Sequence, residues 1–176
     1  VVSRASAATQ ATRRLLVVDD DPQTARLIRS WFEGRPYEVL AAESGRRCLE
    51  LARRKKPDLI LLDLRMPDLD GIEATRTLCR EMPHLGIVFV TMFEDDEFVF
   101  RGLQAGGRGY ILKDADPETM LRAIRAVAHG ESLLGANIAR KVMGEFGIPI
   151  NDLHTIIDEA DKNTCLLKDG VHMNAK

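Results

Sequence analysis

Five polar residues, each closing a short apolar run, are of the types that handle phosphoryl groups. Leu15-Leu16-Val17-Val18 ends in Asp19 and Asp20, Leu59-Ile60-Leu61-Leu62 in Asp63, Ile87-Val88-Phe89-Val90 in Thr91, and Gly109-Tyr110-Ile111-Leu112 in Lys113. Brought into one cleft, the acids cannot coexist unpaired, because two like unit charges ~5 Å apart repel by roughly 3 kcal/mol at an effective dielectric of ~20. Either their pKa values rise or a cation neutralises them, and a small all-oxygen site rich in carboxylates is what Mg²⁺ prefers. A hydroxyl from Thr91 and an ammonium from Lys113 beside such a site complete the parts that stabilise the equatorial oxygens of a transferring phosphoryl group, with Asp63 as nucleophile. A lone acid pair, Thr or Lys after a strand is ordinary. Their joint occurrence, in this order along the chain, is what points to chemistry.

The elements that must position them alternate in type. After Asp21-Pro22 a helical stretch carries Leu27, Ile28, Trp31 and Phe32 on one face and stops at Gly34 and Pro36. Tyr37 to Leu40 reads as a strand, and Ser44 to Arg54 as a helix with Leu49, Leu51 and Ala52 inward. Leu59 to Leu62 has the continuous apolar pattern of a strand buried on both faces. The loop Arg65-Met66-Pro67-Asp68-Leu69-Asp70-Gly71 leads into a helix ending near Glu81, and another helix runs from about Glu94 to Ala105. A last helix has Asp116 as N-cap, Pro117 in its first turn, Gly130 as its stop, and Leu121, Ile124, Val127 and Ala128 inward.

Five strands alternating with five helices imply βαβ units, a parallel sheet and helices on both faces. Right-handed crossovers then lead to a flavodoxin-like, doubly wound (βα)5 fold with strand order 2-1-3-4-5. In that order the first and third strands are neighbours, about 4.8 Å apart, so Asp19, Asp20 and Asp63 share the cleft where such sheets bind ligands. Strand four would bring Thr91 close to Asp63, and strand five would supply Lys113 on its long stem. Asp21 before Pro22 is better read as a helix cap than as a ligand, and Asp68 and Asp70 as turn formers.

The chain has 176 residues, with 25 Lys and Arg against 27 Asp and Glu and a formal net charge of −2. Near-neutral charge offers no global footprint for nucleic acid or an anionic membrane, and no apolar run approaches the ~20 residues of a membrane span. Cys48, Cys79 and Cys165 are odd in number and widely spaced, so neither disulfides nor zinc are signalled and a reducing cytoplasm is expected. Residues 1–13, rich in Ala, Ser and Thr with Arg4 and no acid, read as a flexible leader, residues 14–130 as the folded unit, and 131–176 as linker and short helical tail.

Val17-Val18-Asp19-Asp20, Asp58 to Pro67 with Asp70-Gly71, Val90-Thr91 and Gly109-Tyr110-Ile111-Leu112-Lys113-Asp114 together resemble the receiver domain of two-component response regulators. Thr91-Met92-Phe93 and Lys113-Asp114 resemble the NarL/FixJ-type transcriptional regulators within it. The resemblance implies that Asp63 accepts a phosphoryl group from a sensor histidine kinase. It implies that Asp20, Asp63 and the main-chain carbonyl of Arg65 ligate Mg²⁺, with Asp19 acting largely through water. Lys113 would pair with the phosphoryl group and Thr91 would swing to bond it. Tyr110 matches the family's switch aromatic, repacking the face of helix four, strand five and helix five, which becomes the expected surface for dimerisation on phosphorylation or for partner binding. A Tyr on a strand edge with its hydroxyl in water is the plain alternative. Arg65 and Phe93 resemble the positions that tune autodephosphorylation; neither positions a water as a carboxamide would, so slow decay is expected, although Arg65 equally fits an exposed loop cation.

Regulators of that type usually carry a C-terminal helix-turn-helix of DNA-binding character. Residues 144–176 hold three lysines against six acids, the wrong sign for a phosphate-contacting helix, so no direct nucleic-acid binding is expected of this chain. Leu153, Ile156, Ile157 and Ala160 lie there at helical spacing after Pro149 and Asn151, consistent with a short amphipathic helix. His154 invites a phosphotransfer reading, but such sites need long four-helix bundles. Two alternatives stand beside the switch: the receiver portion of a DNA-binding regulator, and a phosphohydrolase of the haloacid-dehalogenase type. The latter wants an Asp two residues after its nucleophile, where this chain has Arg65.

Overall fold

The computed structural model describes residues 12–92 and 96–134. In chain order these form β1 (Arg13–Val18), α1 (Pro22–Trp31), β2 (Tyr37–Ala42), α2 (Gly45–Lys55), β3 (Leu59–Leu62), α3 (Gly71–Glu81), β4 (Gly86–Thr91), α4 (Asp96–Gln104), β5 (Gly109–Leu112), α5 (Pro117–Ala128) and β6 (Leu133–Leu134). All strand pairs are parallel, in the order β2-β1-β3-β4-β5-β6. The doubly wound, flavodoxin-like arrangement and the order of the first five strands match the sequence expectation. The sixth strand does not: two leucines after α5 are too short a run for periodicity to register. β6 also carries the sheet past residue 130, the expected end of the folded unit.

Because the sheet is covered on both faces, side-chain alternation divides each strand between two cores. Leu16, Val18, Ile60, Leu62, Ile87, Phe89 and Tyr110 pack with α2, α3 and α4. Leu15, Val17, Leu59, Leu61, Val88, Val90 and Ile111 pack with α1 and α5. The helices start where caps demand it: Asp21, Ser44, Asp70 and Asp116 each accept from backbone N–H groups of the first turn. Gly130, at φ +83°, takes the left-handed conformation that ends α5.

Four inward positions differ from the sequence reading, one of them Trp31 of α1, which is only partly buried at the edge of its core. Leu27 is 51% exposed, and α1 instead buries Ala25, Ile28 and Phe32. In α2, Leu49 is only partly buried while Cys48 is fully so, which completes a Cys48, Leu51, Ala52 stripe at i, i+3, i+4. Burial pushes the Cys48 thiol up to about 12, so it behaves as a small apolar side chain. Ala128 lies at the edge of its core rather than inside it. β1 begins at Arg13, whose N–H donates to Pro36 O at 3.0 Å, one residue before the expected start of the folded unit at residue 14. Residues 1–11 and the 135–176 tail, with its expected helical extension and His154, lie outside the described residues. Among the described residues no helix is long and apolar enough to cross a membrane.

Candidate functional site

Strand register alone brings the polar strand ends together. β1 and β3 pair with Val18 opposite Leu62, so Asp19 and Asp63 leave the sheet side by side, and Asp63 N–H donates to Val18 O at 2.9 Å. β4 and β5 pair with Thr91 opposite Leu112, and Lys113 N–H donates to Thr91 O at 2.9 Å. Carboxylate oxygens of Asp19, Asp20 and Asp63 lie within 4.8 Å of one another. Asp19, Asp63 and Thr91 are buried, whereas Asp20 is exposed at the rim.

Lys113 is the counter-charge. Its Nζ lies 2.6 Å from Asp19 Oδ2 and 2.7 Å from Asp63 Oδ2. The remaining carboxylate oxygens are held by loop amides: Asp21 N–H donates to Asp19 Oδ1 at 2.9 Å and Arg65 N–H to Asp63 Oδ1 at 3.2 Å. Burial raises the pKa of Asp63 above the ordinary carboxylate range, and its bonds with Lys113 and Arg65 only partly reverse this. Burial pulls Lys113 down, but the two carboxylates outweigh it and hold the ammonium above its usual value. Three carboxylates against one ammonium leave uncompensated negative charge on a set of hard oxygen donors, which is the chemistry that suits a divalent cation.

Two glycines and two aspartates shape the loop that presents Asp63. A Cβ at Gly71 would sit 2.5 Å from the carbonyl oxygen of Asp63 and 3.0 Å from Leu64 Cα, so only glycine lets α3 start this close to the phosphoacceptor candidate. Asp70, read from sequence as a turn former, caps α3 through Ile72 N–H at 2.6 Å and Glu73 N–H at 3.2 Å. Asp68 does more than form a turn. Its carboxylate accepts from Gly45 and Arg46 N–H, both at 3.1 Å, tying the β3–α3 loop to the N-terminus of α2, while a Cβ at Gly45 would meet Leu69 O at 2.5 Å. Nothing local in the sequence marks that pairing.

Tyr110 is 1% exposed, with its ring centroid 6.3 Å from that of Phe89, so the plain alternative of a solvated hydroxyl does not describe it. The Arg65 guanidinium stacks over the Phe98 ring at 5.0 Å, and Arg101 lies over the same ring at 5.7 Å. Phe93 lies outside the described residues. A groove of about 1080 Å³ lies at the opposite end of the sheet, lined by Arg13, Tyr37, Lys56, Glu81, His84 and Arg125 among others. It is larger than the 280 Å³ cleft beside Lys113, Asp21 and Trp31, yet it gathers none of the strand-end carboxylates.

Residues 15–125 match the family model described as response regulator receiver domain. The chain is 40% identical over 131 residues to the response regulator GacA of Pseudomonas aeruginosa, covering 73% of this chain and 61% of that protein. It is 36% identical over 148 residues to the transcriptional regulatory protein LiaR of Bacillus subtilis, covering 80% and 70%. Among solved structures, a LuxR-family two-component response regulator from Aurantimonas sp. SI85-9A1 superposes with a TM-score of 0.72 at 32% identity, over 78% of this chain and 99% of that one. The Vibrio cholerae chemotaxis protein CheY4 does so with a TM-score of 0.63 at 27% identity, over 66% and 99%. The chain spans about three fifths of the length of the first curated relatives it matches.

Proposed function

Because the chain belongs to the response regulator receiver family, whose members are regulatory proteins of two-component systems, we propose that it is a phosphorylatable switch with Asp63 as phosphoacceptor. The observation that carries this reading is the placement of Asp63 within 2.7 Å of the Lys113 ammonium, beside Asp19, in a cleft that also holds buried Thr91. An Asp63 carboxylate oxygen attacks the phosphorus of a sensor kinase phosphohistidine. The P–N bond breaks, its electron pair returns to the imidazole, which takes up a proton, and an acyl phosphate forms on Asp63.

Asp20, Asp63 and the Arg65 carbonyl would hold Mg²⁺, with Asp19 acting through water. When bound, the ion neutralises charge on the transferring oxygens. Lys113 exchanges its contact with the free carboxylate for one with a phosphoryl oxygen, and Thr91 supplies a hydroxyl to another. Tyr110 then repacks against the space Thr91 leaves, altering the α4–β5–α5 face that mediates dimerisation or partner binding. Neither Arg65 nor Phe93 offers a carboxamide or carboxylate to position a water, so the phosphorylated state decays slowly. In this reading the receiver extends the expected 14–130 to take in Arg13 of β1 and Leu133–Leu134 of β6, with the leader and the linker and tail on either side; the setting is cytoplasmic, and the stretch itself does not contact nucleic acid.

The test is labelling by a small-molecule phosphodonor with Mg²⁺, comparing the native chain with Asp63→Asn. Labelling of the native chain alone is expected, and equal labelling of both would overturn the proposal. A second reading, that the stretch is the receiver portion of a DNA-binding transcriptional regulator, is favoured by the names of LiaR and of other relatives and by the three-fifths coverage. A shift of duplex DNA by this chain in a mobility-shift titration, phosphorylated or not, would overturn the expectation, common to both readings, that the stretch itself leaves nucleic acid alone.

A further inference from the structure

The unexpected strand β6 is placed against the residue that the proposed switch turns on. In the β5–β6 register Leu133 stands opposite Gly109 and Leu134 opposite Tyr110, and Leu133 N–H donates to Arg108 O at 2.9 Å. Paired residues in a parallel ladder project to the same face, so Leu134 shares the side of the sheet that Tyr110 occupies. The packing agrees: Leu134 lies against the core that contains Tyr110 and Phe89, while Leu133 lies against the other core, with α5. Gly109 offers no side chain; a Cβ there would press on the Val88 methyls at 3.1 and 3.2 Å and meet Leu133 O at an ordinary contact distance of 3.4 Å.

Two residues thus put one leucine into each half of the molecule and occupy the outer edge of β5, which an isolated five-stranded sheet leaves unpaired. The strand is short and only partly buried, so it belongs to the low-stability end of the fold, where small changes in packing shift opening equilibria.

Resting on the reading of Asp63 and Tyr110 given above, we infer that β6 is the output strap of the switch. Repacking of Tyr110 changes the seat of Leu134 and thereby the hold of β5 on the chain that follows. No contact between the phosphoryl group and β6 is required. Tyr110 is one residue with two dependents: its ring packs beside Phe89 in one core, and its backbone is in register with the strap. Coupling of this kind is reciprocal, so loosening Leu134 must also alter how well the acidic site holds a phosphoryl mimic.

The experiment is amide hydrogen exchange on the full chain with and without beryllofluoride and Mg²⁺, reading Leu133 and Leu134 against Val39 and Leu40 on the opposite edge strand. Exchange at Leu133 and Leu134 is expected to change about fivefold or more, with Val39 and Leu40 unmoved. Leu134→Ala is expected to shift beryllofluoride affinity several-fold, and Leu133→Ala, whose side chain packs in the other core, to leave it near the native value. Beryllofluoride bound at Asp63 with exchange in β6 unchanged overturns the inference while leaving the phosphoacceptor reading intact, as do equal affinity shifts in the two leucine variants. Should Asp63 take up no label, the phosphoacceptor reading fails, and Tyr110→Ala in the unphosphorylated chain then decides the mechanical coupling. Faster exchange at Leu133 and Leu134 than at Val39 and Leu40 supports it, and parallel acceleration of both edges refutes it.

Discussion

Lys113 Nζ stands 2.7 Å from Asp63 Oδ2 while also lying 2.6 Å from Asp19 Oδ2, so one ammonium bridges the ends of β1 and β3 from the end of β5. The bridge joins three non-adjacent stretches of chain and offsets part of the repulsion that the strand order creates. The ammonium supplies part of the positive charge that this set of carboxylates demands.

Lys113→Ala is therefore expected to destabilise the metal-free chain by about 2–3 kcal/mol. That is at or below the lower end for breaking a fully buried pair, because Lys113 keeps partial contact with water. Denaturant unfolding with and without Mg²⁺ checks it. The ion should recover more stability in the variant than in the native chain, since it replaces a missing charge in the former and supplements an existing one in the latter. Equal Mg²⁺ stabilisation of both would show that Lys113 is not the counter-charge.

Asp63 makes the opposite contribution. Burial raises its pKa from the ordinary value of 3.8, so the folded chain binds its proton more tightly than the unfolded chain does. A group of this kind contributes fully to stability below the ordinary carboxylate range, and the contribution is lost as pH rises through the folded value. Asp63→Asn should then raise the thermal midpoint of the metal-free chain at pH 7, with the advantage shrinking as the pH falls towards 4. A variant less stable than the native chain at pH 7 would mean that the Lys113 bond outweighs desolvation.

Gly71 sets how closely α3 approaches the loop. With a Cβ 2.5 Å from Asp63 O, Gly71→Ala must push the loop backbone away, at a cost of roughly 1–3 kcal/mol for overpacking. Because the atom displaced belongs to Asp63 itself, phosphodonor labelling should fall further than the loss of stability explains. Labelling rates measured well below the unfolding midpoint, where both proteins are folded, distinguish the two effects.

The strand ends were legible because each is a single position: an apolar run that stops at Asp19, Asp63, Thr91 or Lys113 places that residue at the edge of a parallel sheet. What stayed hidden depends on partners distant in the chain. Asp68 looks like a turn residue, yet its acceptors are used by Gly45 and Arg46, more than twenty residues earlier, in α2. Arg65 over Phe98 links a loop to a helix thirty-three positions on. β6 escaped because two leucines carry no period, and only the free edge of β5 gives them a role. Periodicity describes what one element wants; it is silent on which loop another element will hold.

Leu27 shows how the same argument misleads when a helix has apolar residues to spare. Leu27, Ile28, Trp31 and Phe32 look like one face, but Ala25, Ile28 and Phe32 at i, i+3 and i+7 already form the buried stripe, and Leu27, a hundred degrees round from Ile28, is left 51% exposed. Leu27→Ser should change stability by no more than about 0.5 kcal/mol, as surface substitutions do. Ile28→Ala, removing a side chain that is 2% exposed, should cost about 2–5 kcal/mol. Chemical denaturation of the two variants side by side is decisive, since a helix rotated to the face the sequence suggests would make Leu27→Ser the costlier change.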